Sequence, residues 1–240
     1  MTVIPQHYDG NSKREKVEKM FDSIAPKYDL LNKVLSGGID KRWRKKAIQL
    51  LAASKPQSIL DIATGTADLA LASMSLKPQH VVGIDISNNM LEIGREKIRQ
   101  RNLQHIIRLD QGDSEALPYE ENQFDAITVA FGVRNFQNLE KGLKEMLRVL
   151  KPGGMVVILE FSQPTKFPIK QFYSFYSSKI LPTIGQLISK ERSAYEYLPE
   201  SVNQFPFGDT FLNILKRCNF TDTKCIPLTF GIASIYTAKK

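Results

Sequence analysis

The sequence predicts an α/β fold of the Rossmann-like kind, with seven strands in a mostly parallel sheet. Two observations predict it. Short apolar runs recur along the chain with helix-like segments between them, which is the pattern of βαβ units with right-handed crossovers. In addition, the apolar run 58–62 leads into a turn at Gly65 and then into a helical segment, as the first strand of such a sheet does. We therefore expect a small-molecule site at the carboxyl end of this strand.

Five of the predicted strands precede a helical insertion and two follow it. They are residues 58–62, 80–84, 105–109, 125–131 and 155–161, then segments near 222–228 and 232–238. A short turn joins the last two segments, so they are predicted to form an antiparallel hairpin at the edge of the sheet.

The composition, with 42% hydrophobic and 24% charged residues in 240, is typical of one folded domain. Its predicted parts are a flexible tail (1–12), an N-terminal helical lid (13–54), a cofactor-binding core (55–162), a helical substrate cap (163–205), and a C-terminal helix with edge strands (206–240). In the lid, a capping box of Ser12 and Glu15 predicts where a helix begins, and Pro26 predicts where it ends. Because the lid precedes the first strand, we expect it over the carboxyl edge of the sheet.

Charge and residue counts limit the function classes. The net charge of +8 fits a nucleic-acid surface, an anionic membrane surface or a lysine-rich exterior. No apolar run approaches the roughly 20 residues that span a bilayer, and the first residues lack a signal-peptide pattern, so we expect a cytoplasmic protein. Cys218 and Cys225 lack the spacing of metal ligands or of a redox pair, and the three histidines are scattered. We expect no metal site.

Acidic residues follow the predicted strands at the spacing of a nucleoside site. Asp85 ends the second strand, 20 residues after Gly65, where a carboxylate can accept hydrogen bonds from both ribose hydroxyls. The competing interpretation is that Asp85 caps the next helix. After the third strand, Asp113 and Ser114 offer a carboxylate and backbone groups suited to an adenine edge, although an aspartate in a simple turn has the same pattern.

The glycine turn departs from the dinucleotide pattern G-x-G-x-x-G. Residues 65–70 read Gly-Thr-Ala-Asp-Leu-Ala, so only the first glycine remains. Asp68 places a carboxylate where a pyrophosphate would bind, which disfavours NAD. A ligand with a ribose, no phosphate, and cationic sulfonium and ammonium groups tolerates acids such as Asp61 and Asp68. These observations predict S-adenosylmethionine as the cofactor.

Longer motifs carry a resemblance to a known family. They are residues 28–43, residues 131–135, and residues 148–162 with their Lys-Pro-Gly-Gly turn. On these motifs the chain resembles the class I S-adenosylmethionine-dependent methyltransferases, and specifically the UbiE/MenG family of quinone C-methyltransferases, over nearly all of residues 16–240. At two positions it departs from many or some relatives, with Ala67 in place of Gly and Ala130 in place of Ser. We expect little effect from the first and no cofactor contact from the second.

The resemblance also implies site residues and a substrate. Cofactor contacts are implied at Thr66, Asp85, Asp113 and Ser114. Methyl transfer is implied to a ring carbon of a polyprenylated demethylquinol. The sequence is more similar to the MenG-type members. This similarity favours demethylmenaquinol as the substrate, and therefore the last step of menaquinone biosynthesis.

Methylation of a ring carbon requires electron density there, which deprotonation of a neighbouring phenolic hydroxyl provides. We expect Arg134, just past the fourth strand, to stabilise the phenolate as a fixed cation while Asn135 orients the hydroxyl. The competing interpretation is that Arg134 pairs with an acid and only holds its loop. We expect Tyr28 and Asp29 to contact the quinol from the lid, with plain packing as the alternative for Tyr28. Trp43 is expected to anchor the core.

Aromatic residues are concentrated in the predicted cap, near residues 167–182. They fit core packing, the roof of an apolar pocket, or a patch that touches lipid. Together with the lysine-rich helices, they predict peripheral contact with anionic lipid on the inner face of the membrane, where a prenyl tail resides.

Other functions stay open at this point. The corresponding benzoquinol of the ubiquinone pathway could be the substrate, alone or with the naphthoquinol. A nucleic-acid methyltransferase would explain the charge, but the Asn/Asp-Pro-Pro-aromatic stretch expected after the fourth strand is replaced by Phe-Gly-Val-Arg-Asn at 131–135, so no nucleic-acid partner is expected. A non-catalytic module would bind S-adenosylmethionine without turnover. The oligomeric state, including a homo-oligomer, is not predicted.

Overall fold

The computed structural model describes residues 3–5, 8–180, 183 and 192–240. Residues 1–2 and 6–7 of the predicted tail lie outside the described residues, as do residues 181–182 and 184–191 of the predicted cap. The sheet and every predicted site residue fall within the described ranges.

Seven strands form one sheet and are numbered in chain order. Their bounds are β1 Ser58–Ile62, β2 His80–Asp85, β3 Ile107–Gln111, β4 Phe124–Ala130, β5 Leu150–Phe161, β6 Thr221–Leu228 and β7 Ala233–Lys239. The spatial order is β3-β2-β1-β4-β5-β7-β6, and only the two pairings of β7 are antiparallel. The predicted fold class and the C-terminal hairpin are confirmed. Because the order reverses between β1 and β4, the crevice that binds ligands in such sheets lies there.

The described α-helices are likewise numbered in chain order. Their bounds are α1 Lys13–Ser36, α2 Ile39–Gln49, α3 Asp68–Ser73, α4 Asn88–Arg99, α5 Leu139–Val149, α6 Ile169–Phe175, α7 Arg192–Gln204 and α8 Asp209–Arg217. At the start of α1, Ser12 Oγ accepts a hydrogen bond from the Glu15 amide at 3.2 Å, which is half of the predicted capping box.

The prediction that Pro26 ends the first helix is wrong, because α1 continues through it to Ser36. Proline has no amide hydrogen, so the carbonyl of Asp22 one turn earlier loses its helical partner. The side-chain amide of Asn89, on α4, donates to that carbonyl at 3.3 Å. Tertiary contact with α4 therefore compensates for the proline, which the local sequence could not reveal.

The strands lie within one residue of their predicted bounds, except for two, β3 and β5. β3 begins at Ile107 because the chain first turns, with the amide of Ile106 donating to the carbonyl of Leu103 at 3.0 Å. β5 begins at Leu150 because Leu150 already pairs with Phe124, before a register shift in the ladder between β4 and β5.

The core has an apolar layer on each face of the sheet and a third cluster at its carboxyl edge. This third cluster joins α1, α4 and α7 through buried residues, among them Val17, Met20 and Ile24 of α1, Met90 of α4 and Tyr197 of α7. Burial of these side chains fixes α1 across the edge, since each contributes on the order of 1.5–3 kcal/mol.

Polar contacts add to this arrangement, since α1 contacts the turn after each of the first three strands. The contacts are Arg14 with Asp113 after β3 at 3.0 Å, Asp22 with Ser87 after β2 at 2.5 Å, and Asp29 with Thr66 after β1 at 2.7 Å. Among the described residues, no helix is both long enough and apolar enough to cross a bilayer.

Candidate active site

Asp85 connects the turns that follow β1 and β2. One carboxylate oxygen accepts a hydrogen bond from the Gly65 amide at 2.8 Å, and the other accepts from the Ser87 amide at 2.9 Å. The residue that caps α4 is Ser87, whose hydroxyl accepts from the Met90 amide. Burial raises the pKa of Asp85 to about 6. The spacing of 20 residues therefore brings Asp85 to the glycine turn, as the sequence predicts.

Asp61 lies beneath the same turn and is fully buried. It accepts hydrogen bonds from the hydroxyls of Thr64 and Thr128, each at 2.6 Å. Burial raises the pKa of Asp61 to about 6. Asp61 thus ties the end of β1 to β4 on one side and to the glycine turn on the other.

Thr66, Asp68 and Asp29 meet at one lysine. Lys97 Nζ, on α4, lies 2.9 Å from Thr66 Oγ1, 2.7 Å from Asp68 and 2.5 Å from Asp29. Asp29 also accepts from the Thr66 hydroxyl. The structure therefore places Asp29 against the cofactor turn, whereas the sequence placed it on the quinol side. Asp29 follows Tyr28 on the helix, so the two side chains point to different neighbours.

Asp113 and Ser114 line one cavity together with Gly65, Asp85 and Asn135, here called the cofactor pocket. Asp113 also accepts from the Glu115 amide at 2.8 Å and pairs with Arg14 of α1. The turns after β1, β2 and β3 thus contribute to a single cavity, as their order along the chain predicts.

The chemistry of this pocket fits S-adenosylmethionine. Asp85 and Asp113 offer carboxylate oxygens to hydroxyl and amino groups, while Ile86 and Met90 provide apolar walls for an adenine ring. At Gly65, with φ of +54°, no atom lies within 4 Å of where a Cβ would be, so a ligand can approach the backbone closely. Asp61 and Asp68, with Thr66, line a small cavity next to the pocket together with Arg44, so a cationic group of the ligand would share these carboxylates with a protein cation.

A second cavity, of about 510 Å³, lies beside the cofactor pocket and is here called the apolar chamber. Its walls come from segments far apart in the sequence: Tyr28 and Leu35 of α1, Trp43 and Arg44 of α2, Phe131 and Phe161 at strand ends, Phe172 and Tyr173 of α6, Tyr197 of α7, and Phe230. The predicted cap therefore supplies one wall of an apolar cavity.

Phe21, Tyr28 and Phe131 line both cavities, and so they form the boundary between them. Burial raises the pKa of the Tyr28 hydroxyl above its usual value, which keeps the group protonated. Phe131 stacks on Phe161 with ring centroids 4.4 Å apart, so the boundary is braced from the chamber side.

Arg134 stands in a one-turn helix, Val133–Asn135, directly after β4. The turn packs so closely on Ala63 that a Cβ at Gly132 would lie 2.5 Å from the Ala63 Cβ. Arg134 Nη1 pairs with Glu160 at 2.9 Å and also donates to the Phe131 carbonyl, and Nε donates to Ser201 at 3.3 Å. Nη2 has no hydrogen-bond partner within the part of the chain that the structure describes, and Arg134 belongs to the chamber wall.

Asn135 faces the other cavity. It lines the cofactor pocket, and its Oδ1 accepts a hydrogen bond from Tyr197 at 3.1 Å. Burial raises the pKa of Tyr197 to about 12, so this tyrosine acts as a donor. Two adjacent residues of one turn therefore line different cavities: Arg134 lines the chamber and Asn135 lines the cofactor pocket.

Two residues of this site were missed in the sequence. Glu160 is completely buried, and burial raises its pKa while Arg134 opposes that shift. An acid in the apolar run of β5 was the available signal, because a buried carboxylate needs a partner. No sequence pattern could identify Lys97, since it is one of several cationic residues on α4. The expectation that Trp43 is a core anchor is confirmed: it is buried, and its Nε1 donates to Thr229 at 2.9 Å.

Comparisons with known proteins agree with this geometry. The chain is 50% identical over 239 residues to a Bacteroides fragilis protein named demethylmenaquinone methyltransferase, covering 99% of this chain and 97% of the relative. It is 47% identical to a Geotalea daltonii protein named ubiquinone/menaquinone biosynthesis C-methyltransferase UbiE, covering 95% and 97%. A solved Thermotoga maritima structure, described as a SAM-dependent methyltransferase, shares the fold with a TM-score of 0.65 at 18% identity, covering 93% and 99%.

The model of one family, described as the ubiE/COQ5 methyltransferase family, matches residues 9–240. This match covers the sheet, both cavities and the turn that carries Arg134. The chain belongs to the ubiE/COQ5 methyltransferase family and is an S-adenosylmethionine-dependent methyltransferase.

Proposed function

We propose that this enzyme methylates a ring carbon of demethylmenaquinol, the last step of menaquinone biosynthesis. The observation that carries the proposal is the apolar chamber of about 510 Å³, which meets the cofactor pocket at Tyr28 and Phe131. A methyl donor and a flat apolar acceptor bound in the two cavities would face each other there. The naming of the Bacteroides fragilis relative supports the same acceptor.

S-adenosylmethionine supplies an electrophilic methyl group when it is bound. In the overall reaction a bond forms between this methyl and the ring carbon, the sulfur keeps the electron pair of the broken bond, and the ring carbon gives up a proton. The protein must therefore increase electron density on the ring carbon. A phenolate next to it does so, which requires a lowered hydroxyl pKa.

Arg134 is proposed to lower that pKa. It is fixed by Glu160, Ser201 and a backbone carbonyl, so its geometry does not need to reorganise during the reaction. From the sequence, pairing of Arg134 with an acid was the alternative to a catalytic role, and Glu160 is that acid. The pairing and the catalytic role are compatible here, because Nη2 has no partner among the described residues and can donate to a phenolate oxygen. Asn135 is proposed to orient the hydroxyl from the cofactor side.

The rim of the chamber is proposed to contact the membrane. Phe172 and Phe230 line the chamber and are nevertheless 70% and 78% exposed, and Phe167 and Phe175, on the same segment as Phe172, are also exposed. Lys166 and Lys170 are exposed on the same segment. An apolar rim with cations suits an anionic lipid surface, from which a prenyl tail could reach the chamber.

Sedimentation with vesicles tests this contact. Wild-type protein should bind vesicles that contain anionic lipid, and binding should weaken as salt is raised. Phe167→Ser with Phe175→Ser should reduce binding on the order of tenfold, because each exposed ring contributes its buried area. The matched control is Leu30→Ser, an exposed apolar residue on α1. Equal binding of neutral and anionic vesicles would contradict the contact.

The acceptor is tested by incubating the purified enzyme with S-adenosylmethionine and chemically reduced demethylmenaquinol, and by identifying the product by mass spectrometry. We expect a product that is one methyl group heavier. The benzoquinol of the ubiquinone pathway, assayed in parallel, should react more slowly. Faster turnover of the benzoquinol would overturn the choice of acceptor, and cofactor binding without any turnover would support a non-catalytic module instead.

A nucleic-acid acceptor is not favoured by the site. The chamber next to the cofactor pocket is walled mainly by apolar and aromatic groups, whereas a nucleic-acid site needs cations along its floor to pair with phosphates.

A further inference from the structure

Lys13, the first residue of α1, is an unusual lysine. It is 7% exposed, although lysine is rarely buried. Its position in the first turn of a helix is unfavourable for a cation, because the amide dipoles place partial positive charge there. The Arg134 guanidinium adds like-charge repulsion. Three unfavourable conditions therefore coincide at one side chain.

The contacts of Lys13 explain why the residue is buried. Nζ donates to the carbonyl of Arg134 at 3.1 Å and to the carbonyl of Phe136 at 2.9 Å. Glu115 provides the opposite charge nearby and is itself held by the amide of Asn138 at 2.8 Å. Burial and Arg134 lower the pKa of Lys13 to about 8, and Glu115 opposes this shift.

The turn that Lys13 contacts has little hydrogen bonding of its own. It contains one turn of 3₁₀ helix, with the amides of Asn135 and Phe136 donating to the carbonyls of Gly132 and Val133 at 3.0 and 3.3 Å. Short 3₁₀ segments have poor hydrogen-bond geometry, so their position depends on outside contacts. Lys13 reaches this turn from more than 120 residues away in the sequence.

We propose that Lys13 is a positioning residue for the reaction: its ammonium group holds the backbone of residues 133–136 and so keeps Arg134 facing the apolar chamber and Asn135 facing the cofactor pocket. The proposal rests on the proposed function, because it acts through the role given to Arg134. Lys13 lines neither cavity and has no contact with substrate of its own. It couples α1, which covers the cofactor pocket, to the turn at the boundary of the two cavities.

The test uses Lys13→Met, which keeps the length of the side chain and removes the donors. We expect kcat to fall on the order of tenfold, as for a lost hydrogen bond to a charged group, with KM for S-adenosylmethionine nearly unchanged. The matched control is Lys19→Met, an exposed lysine on the same helix, which should leave both constants unchanged. Lys13→Gln, which keeps an amide donor, should restore part of the rate and serves if Lys13→Met does not fold.

Two readouts separate positioning from a general loss of stability. The acid limb of the kcat profile should move to higher pH in Lys13→Met, because a displaced Arg134 lowers the hydroxyl pKa less. A merely destabilised enzyme would lose amplitude and keep the shape of the profile. In addition, Lys13→Met added to the paired variant Arg134→Gln with Glu160→Gln should make it no slower, since one residue acts through the other.

Hydrogen exchange makes the proposal independent of the acceptor. The amides of Asn135 and Phe136 should exchange on the order of tenfold faster in Lys13→Met than in wild type. If wild-type enzyme does not methylate demethylmenaquinol but this exchange increases, the proposed function fails and the positioning contact stands. Unchanged exchange, or rate losses that multiply when Lys13→Met is added to the paired variant of Arg134 and Glu160, would overturn the role of Lys13.

Discussion

The cofactor pocket and the apolar chamber share a wall but are built in opposite ways. Most polar groups of the pocket come from the turns after β1, β2, β3 and β4, and α1 covers these turns. The chamber is enclosed mainly by α1, α2, α6, α7 and residues 229–232, which lie outside the βαβ core, and the strand ends add Phe131, Arg134 and Phe161. In the proposed assignment, the strand ends supply most polar groups for the methyl donor, whereas the added helices supply most of the wall around the acceptor.

Substitutions at the boundary between the two cavities should have the largest effect on kcat. Arg134→Gln together with Glu160→Gln removes the cation without leaving a buried carboxylate unpaired. We expect kcat to fall on the order of a hundredfold, as for loss of a preorganised donor, while the affinity for S-adenosylmethionine stays within about twofold. Steady-state kinetics and calorimetric titration check this. Turnover close to that of wild type would remove Arg134 from the mechanism.

The polar side is tested by Asp85→Asn, which has nearly the same shape. The carboxylate accepts from the amides of Gly65 and Ser87, whereas asparagine has one carbonyl oxygen to accept from one of them, and its NH₂ group cannot accept from the other. We expect KM for S-adenosylmethionine to rise on the order of tenfold, with a smaller change in KM for the quinol. Asp110→Asn on β3 is the control. Equal changes in both KM values would mean that the two cavities are not separable.

The pH dependence of cofactor binding is expected to arise on the polar side as well. Burial raises the pKa of Asp61 and of Asp85 to about 6, above the values in an unfolded chain. A ligand with sulfonium and ammonium groups favours the charged carboxylates. Affinity for S-adenosylmethionine should therefore fall as pH decreases through 6, by up to about tenfold per pH unit for each linked carboxylate.

The stability of the ligand-free protein should change with pH in the opposite direction to the affinity for S-adenosylmethionine. Between about pH 4 and pH 6 the folded chain binds more protons at these two carboxylates than the unfolded chain does, so their contribution to stability decreases as pH rises. Thermal unfolding with and without S-adenosylmethionine checks both signs. Parallel pH trends in the two series would contradict the placement of the cations beside these acids.

Substitution in the wall of the apolar chamber should have the smallest effect, a change in KM for the quinol. Trp43→Phe removes the hydrogen bond from Nε1 to Thr229 and leaves most of the packing against Phe131 and Phe161. We expect KM for the quinol to rise about threefold and KM for S-adenosylmethionine to stay unchanged, since one neutral hydrogen bond is lost. Thr229→Val removes the same bond from the other partner and should match it. A change confined to the cofactor constants would contradict the division between the cavities.

The same comparison explains what could be predicted from the sequence. Strands and strand-end acids such as Asp85 follow local patterns, because parallel pairing brings consecutive strand ends together. The extent of α1 could not be predicted, since a side chain of α4 satisfies the carbonyl that Pro26 leaves without a partner. Asp29 lies at the cofactor turn because it pairs with Lys97 of α4. Lys13 is buried because it contacts the turn at Arg134, more than 120 residues later in the sequence. These contacts form only when separate elements pack.

The most direct test of the proposed placement of donor and acceptor is a crystal structure of the enzyme with S-adenosylhomocysteine and a demethylnaphthoquinol. We expect the sulfur to lie in the cofactor pocket and the ring in the apolar chamber. The acceptor carbon should face the sulfur across one methyl group between Tyr28 and Phe131, with a ring oxygen within hydrogen-bond distance of Arg134. A ring bound outside the chamber, or with both oxygens directed away from Arg134, would contradict it.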